Sequence, residues 1–452
     1  MPQSTPSENA FLSGPILPAL LRFSLPLMLS LVLQALYGAV DLAVVGQFAS
    51  TASVAAVATG SQMMQTATVV AAGLTMGVTV LVGRAMGAGD REAAGTVAAA
   101  QIRLFTVVAL VLTAVIIALA PCASRWMNVP AEAMGETVRY VRICGGGMVF
   151  VTAYNAVSGI FRGIGNSRSP LLFVLVACAV NVALDLLFVA GFGMAAAGAA
   201  LATIIAQAAS VLFSLVYLHR HPLPFSIPRR SASVPSAMRN ILRVGTPIAL
   251  QDALVHVSFL LITSIVNTLG VVASASIGVS EKYFAILSIV PSAFLSALSA
   301  FVAQNMGARQ PRRAVRALLA AQGISFLFGA AIFLAAFFRG GLLASLFDKD
   351  PAVIAATADY MRGSAFEYLM VPVTFCFLGY FNGREHTAFV MLQGLLSSFL
   401  VRIPLSYYLS RLPNTGMFTI SLAVPVSAAV SLTLCLLYFL RLRRKDRLLS
   451  SD

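Results

Sequence analysis

The segment VGRAMGAGD at 82–90 returns as VAQNMGARQ at 302–310, and SGIFRGIGN at 158–166 returns as LGYFNGREH at 378–386. Both pairs are 220 residues apart. One offset shared by two separate segments means that the second half of the chain is a copy of the first, running in the same orientation. Whatever one half folds into, the other half must approximate.

The regions around these segments are long apolar runs. The chain is 59% hydrophobic and 10% charged, with a mean hydropathy of +0.89, beyond what the core helices of a soluble domain require. Twelve spans are expected, at about 16–45, 52–83, 95–120, 140–161, 170–190, 195–218, 244–269, 273–303, 315–338, 360–381, 389–409 and 417–440. Each reaches about 20 residues, enough to cross a hydrocarbon layer of roughly 30 Å. The expected fold is therefore an all-α integral membrane protein, with twelve transmembrane helices in two homologous six-helix lobes around a central cavity. The chain divides into an N-terminal cytoplasmic tail (1–15), a first lobe (16–218), a cytoplasmic linker (219–243), a second lobe (244–440) and a basic C-terminal tail (441–452). MPQSTPSENAFLSG at 1–14 lacks the basic start of a secretory signal, so the first span is expected to be kept.

A net charge of +14 would suggest nucleic acid in a soluble protein. Here the distribution decides otherwise. Of the Lys and Arg outside the spans or at their ends, twenty fall on the side of the N-terminus and seven on the opposite side; Arg103, Lys282 and Arg402 lie deeper within spans. By the positive-inside rule both termini are cytoplasmic, and the excess is a topology signal with some attraction for anionic lipid, not for nucleic acid. The five cysteines show no C-x-x-C spacing and read as small packing residues.

Against this background one residue stands out. Between Arg22 and Arg84 the only charge is Asp41, in ALYGAVDLAVVG at 35–46. A carboxylate at mid-bilayer costs about 2.5–3.5 kcal/mol on insertion scales, so it normally faces a bundle interior and has a function. Ser30, Gln34, Tyr37 and Asp41 follow one another at helical spacing and form a polar stripe. On the fifth span Asn181 and Asp185 are four apart. On the sixth, Thr203, Gln207 and Ser210 share a face, and on the fourth Tyr140 and Asn155 do. Two carboxylates ringed by amides and hydroxyls can hold a proton or a small hard cation such as Na⁺, and the absence of His or Cys clustering argues against zinc or copper. Apart from Na⁺ at Asp41, Asp185, Asn181 and Thr203, no metal and no cofactor is expected.

These residues resemble a known family. The opening SLPLMLSLVLQALYGAVDLAVVGQ, the end of the second span with LVGRAMGAGD, the loop FRGIGNS, the fifth-span NVALD and the second-half QNMGA together are similar to multidrug and toxic compound extrusion (MATE) transporters, over nearly the whole chain. The resemblance implies two six-helix lobes around a V-shaped cavity. It also implies export of cationic or amphipathic drugs by antiport with H⁺ or Na⁺, in the plasma (inner) membrane of a prokaryote, by a functional monomer. It places the cation site at Asp41, Asn181, Asp185, Thr203, Tyr140 and Asn155, and a helix-bending proline at Pro26. In the expected cycle a cation neutralises the Asp41/Asp185 pair, the first helix rearranges and the drug is expelled.

The second half has no copy of this site. At the 220 offset Asn181 falls on Val401 and Asp185 on Leu405, and Asp41 falls on Leu261 or, with the one-residue slip that matches Pro26 to Pro247, Ile262. It carries charges of its own: Asp252 and His256, Glu281 and Lys282, Glu367 and Arg402. With Gln34, Tyr37 and Gln207, the residues Glu281, Asp252 and His256 are the candidates for contact with substrate; pairing of Glu281 with Lys282 or Arg402 is the structural alternative. An enzyme is not expected, since three of the four His lie in loops, at 219, 221 and 386, and no G-x-x-x-x-G-K-[ST] loop is present. The rival transporter, a lipid-linked precursor flippase, would need several cavity arginines for a pyrophosphate.

Overall fold

The repeat seen in the sequence is also a repeat of backbone geometry. The computed structural model describes residues 10–228, 232–413 and 415–448. Most of the expected N-terminal tail, the linker arginines Arg229 and Arg230, the side chain of Arg447 and residues 449–452 of the basic tail lie outside the described residues.

The first half runs through α1 (Ile16–Phe48), α2 (Thr51–Gly87), α3 (Arg91–Trp126), α4 (Ala131–Gly146), α5 (Met148–Gly163), α6 (Arg168–Asp185) and α7 (Ala195–Arg220). The second runs through α8 (Val234–Asn267), α9 (Val271–Leu287), α10 (Ile289–Gly307), α11 (Pro311–Ala344), α12 (Pro351–Ser364), α13 (Glu367–Gly383), α14 (Thr387–Leu395), α15 (Ile403–Ser410), α16 (Met417–Ser421) and α17 (Ala423–Leu448). Two π-helical turns interrupt this order, Leu186–Gly191 after α6 and Leu396–Arg402 between α14 and α15. No strand occurs among the described residues. Among the described residues ten helices are long and apolar enough to cross a membrane, and the bent pairs α4–α5 (45°) and α12–α13 (53°), each taken as one span, bring the number to twelve.

Local chemistry sets the helix ends. Ser50 and Asp90 cap α2 and α3 by accepting from the amides of Ser53 (3.2 Å) and Ala93 (2.8 Å). Pro311 and Pro351 open α11 and α12. The chain leaves α2 and α5 through left-handed residues, Gly89 (φ +73°) and Gly165 (φ +87°). At the 220 offset the same turns are made by Arg309 (φ 56°) and Glu385 (φ 64°). A side chain in this conformation costs about 1 kcal/mol, so the turn has been kept although its glycines have not.

Several boundaries differ from those expected. Spans four and ten begin at Ala131 and Pro351 and are bent, where 140 and 360 were expected. Glu136 and Arg139 make the start of span four look like loop, but they lie on α4. Residues 234–243, expected in the linker, form the first turns of α8. α1 passes through Pro26 without interruption, and Ser30 Oγ donates to the Pro26 carbonyl at 2.8 Å.

The chain forms two compact units. One consists of the described residues up to Ser13, with Leu21–Ala249 and Ala303–Arg309; the other consists of Gly14–Leu20, Leu250–Val302 and the described residues from Gln310 onward. In the first, Gly73, Gly77 and Gly245 let α2 and α8 approach until backbones touch, and Gly87 and Gly307 form a reciprocal crossing. A Cβ at Gly87 would overlap the Gln304 carbonyl, and one at Gly307 the Arg84 carbonyl. Gly159 and Gly163 of α5 sit against Thr75 and Val82 of α2. In the second unit Gly379 and Gly383 of α13 sit against Leu295 and Val302, at the same offset.

Candidate functional site

Three helices of the first unit bring four of the expected residues together. α1 carries Asp41, the mutually packed α6 and α7 carry Asn181 with Asp185 and Thr203 with Gln207, and Asp185 is the last residue before the π turn at Leu186–Gly191. Asp41 is 5% exposed, Asn181 1% and Asp185 0%. Thr203 Oγ1 donates to Asp41 Oδ2 at 3.4 Å and to the Ala199 carbonyl at 3.0 Å. Asp41 lies close enough to Asp185 and Asn181 for the three side chains to act on one another. An apolar cluster that includes Val44, Val45, Val189, Ala196 and Ala199 packs beside them.

The hydrogen-bond account of this site does not close. Asp41 Oδ1, both carboxylate oxygens of Asp185, both side-chain polar atoms of Asn181 and Oε1 of Gln207 are buried without a partner. Each such group costs about 1–3 kcal/mol, more where it is charged, and buried polar groups are otherwise almost always satisfied. Several orphaned atoms in one place, on two facing carboxylates, form a donor set for a proton or an oxygen-seeking cation. No group of three or more His, Cys, Asp or Glu suited to a transition metal occurs among the described residues.

The remaining sequence candidates distribute differently. Tyr37, half-buried, and Tyr140 lie within electrostatic range of Asp41. Tyr140 spends its hydroxyl on Ser61 Oγ at 2.9 Å, and Asn155 donates to the Val151 carbonyl of its own helix at 2.9 Å, so neither bonds the carboxylates. Gln34 is exposed and donates to the Ser30 carbonyl at 3.2 Å. Cys144 and Cys178, read from the sequence as packing residues, both feel the Asp41 charge. Their signal was available: Cys178 precedes Asn181 by three residues and Cys144 follows Tyr140 by four, on the same helical faces.

In the second unit Glu281 accepts from Thr263 Oγ1 at 2.7 Å. It forms no ion pair with Lys282 or Arg402, which removes the structural pairing expected for it. The Arg402 guanidinium lies 4.5 Å above the Phe259 ring. Asp252 is half-buried and His256 exposed on α8, and they are not hydrogen-bonded to one another.

A family model described as MatE matches the chain twice, at residues 26–187 and 247–408. Among curated proteins, the probable multidrug resistance protein YpnP of Bacillus subtilis is 28% identical over 410 residues, covering 90% of each chain. The probable multidrug resistance protein NorM of Thermotoga maritima is 25% identical over 437 residues, covering 93% of this chain and 91% of its own. A crystal structure of a MATE protein in the bent conformation superposes with a TM-score of 0.93 at 21% identity, over 99% of this chain and 100% of the other, a likeness of fold.

Proposed function

The chain belongs to the MatE family of membrane transporters, and we propose that it exports cationic or amphipathic organic compounds by antiport with H⁺ or Na⁺ through the Asp41/Asp185 site. The carrying observation is the buried carboxylate pair with its orphaned oxygens. Export of drugs is the reading given by the names of its relatives, two of which are described as multidrug resistance proteins. Both termini are proposed to be cytoplasmic, on the distribution of Lys and Arg.

The coupling follows from charge. Without a cation the pair carries buried negative charge that only the long Thr203 hydrogen bond to Asp41 offsets; with one, the charge is compensated and the oxygens are ligated. A conformation that opens the pair to water and one that closes it differ in cation affinity, and that difference is what an ion gradient can drive. One charge moved through 100 mV supplies about 2.3 kcal/mol, nearly two decades of substrate gradient.

The test is substrate-triggered cation release from proteoliposomes loaded with Na⁺ or with an acidic lumen, with ethidium added outside, for wild type and Asp41→Asn. Release that disappears in the variant supports antiport through this site and identifies the ion. Unchanged release in Asp41→Asn removes Asp41 from the mechanism. Wild type that releases no ion with any cationic substrate favours a lipid-linked precursor flippase.

A further inference from the structure

The second unit holds two opposite charges side by side that do not meet. Phe259 and Thr263 are four residues apart on α8, so their side chains share one face about 6 Å from each other. Each holds a charged group from another element. The Arg402 guanidinium lies 4.5 Å above the Phe259 ring, and Glu281 of α9 accepts from Thr263 Oγ1 at 2.7 Å. Phe284, one turn after Glu281, sets its ring 5.9 Å from that of Phe259. A cation and a carboxylate are thus fixed on successive turns of α8, beside two aromatic rings.

Neither charge is spent. Arg402 and Glu281 enter no ion pair among the described residues, and Nε of Arg402 is buried without a partner. Stacking engages the face of a guanidinium and leaves the N–H donors at its edge for a ligand. Thr263 takes one oxygen of Glu281 and leaves the other. A purely structural pair would close, because opposite charges away from bulk water attract more strongly as they approach; here a ring and a hydroxyl hold them apart. Phe259, Thr263, Glu281, Phe284 and Arg402 are all half-buried, so none is sealed from a ligand. Ionisable side chains inside membrane spans mark substrate paths, and aromatic walls with a few placed polar groups are the usual make-up of a small-molecule site.

We propose that Arg402 and Glu281 form a subsite for zwitterionic amphiphiles. A carboxylate of the ligand takes the edge of the guanidinium, an ammonium takes Glu281, and a planar body lies along Phe259 and Phe284. A ligand with only a positive charge leaves Arg402 unpaired and one with only a negative charge leaves Glu281 unpaired, so the site favours molecules that carry both. The proposal adds a substrate class to the export reading above, on which it rests only for the fate of the bound ligand.

The experiment measures binding to purified protein in detergent, with no ion gradient, by fluorescence polarisation. The probes are norfloxacin, its ethyl ester, which keeps only the positive charge, and its N-acetyl form, which keeps only the negative one. Wild type is expected to bind norfloxacin about 10- to 100-fold more tightly than either derivative, the usual worth of a hydrogen bond to a charged group. Arg402→Gln is expected to lose the preference over the ester while binding the ester no more weakly than wild type does. Glu281→Gln is expected to lose the preference over the N-acetyl form in the same way. Wild type without these preferences overturns the proposal, as does an Arg402→Gln protein that binds all three probes more weakly by the same factor, the mark of a merely structural arginine. The Glu281→Gln arm does not depend on whether Arg402→Gln folds. A preference over the N-acetyl form that survives Glu281→Gln and disappears in Asp41→Asn puts the ammonium in the first unit and overturns the proposal too. Antiport itself is read by substrate-triggered ion release, so each reading fails on its own measurement.

Discussion

The two halves agree where backbones touch and disagree where charges sit. Gly159 and Gly163 against α2 are matched by Gly379 and Gly383 against α10, while Asp41, Asn181 and Asp185 have no acidic or amide counterparts. The reason is steric. Where two helix backbones are in contact only glycine fits, whatever the chemistry nearby, so a duplicated chain must keep those positions or lose the crossing. A polar cluster within the bundle carries no such constraint, and one copy is free to lose it if the other performs the function.

The comparison breaks most severely at the reciprocal crossing. Gly87→Val and Gly307→Val each drive a branched side chain into a backbone carbonyl of the neighbouring helix, and overpacking that cannot be relieved by a rotamer change costs about 3 kcal/mol or more. Both variants are expected to lose monodisperse protein in detergent, whereas Gly323→Val, which meets nothing within 4 Å, keeps its melting temperature. Similar behaviour at positions 87 and 323 would remove the steric account of the repeat.

The second effect is on function and confined to one half. Asp185→Asn is expected to lower ion-driven export on the order of 10- to 100-fold, the usual range of a coupling free energy, with the melting temperature in detergent held or raised. Glu281→Gln is expected to leave the dependence on ion gradient unchanged. A loss of ion dependence in Glu281→Gln and not in Asp185→Asn would place coupling in the wrong half.

Much of this was legible in the sequence, and the omissions have physical causes. The shared offset gave the duplication, and spacings of three and four residues brought Asp41, Asn181, Asp185 and Thr203 onto faces that do meet. Asn155 and Tyr140 also had the right spacing, but periodicity cannot tell whether a polar tip points across to a neighbour or back to its own helix, and Asn155 does the latter. The bends at spans four and ten were hidden because charged helix reads as loop. The π turn at Leu396–Arg402 was invisible for a further reason: it has no composition signal.

A smaller effect belongs to the second half alone. Arg384 donates to both carboxylate oxygens of Asp446, at 2.8 and 3.0 Å, and to the Tyr380 hydroxyl at 2.9 Å, tying the loop before α14 to the end of α17. At the 220 offset the first half has Ile164 in place of Arg384. The pair is bidentate but part-exposed on the Asp446 side, so Arg384→Ala is expected to cost about 1 kcal/mol. Asp446→Asn should cost a similar amount and the double variant less than their sum, as a double-mutant cycle on melting temperature would show. Additive losses would mean that the two residues act separately.

The finest distinction lies one turn away, where the first half uses an amide and the second an imidazole. Asn166 accepts from the Arg168 and Ser169 amides (3.0 and 3.1 Å) and donates to Ser169 Oγ, which donates to the Tyr217 hydroxyl. At the matching position His386 Nδ1 bonds the Tyr438 hydroxyl at 2.8 Å, and Tyr438 stacks on Phe389. Burial holds His386 below its ordinary value near 6.5, with Arg384 and Lys445 acting in the same direction and Asp446 and Glu385 opposing. Above pH 6.5 the folded and unfolded chains both carry neutral imidazole, and the residue adds no pH dependence. As pH falls below 6.5 the unfolded chain takes up the proton first, so stability declines until the folded form is protonated as well and is flat beyond that. His386→Asn, which gives the second half the residue of the first, is therefore expected to flatten the melting temperature of the detergent-solubilised protein between pH 6.5 and 5, relative to wild type. Equal acid slopes in the two proteins would assign the acid sensitivity to other groups and leave the amide and the imidazole as interchangeable ends of the same turn.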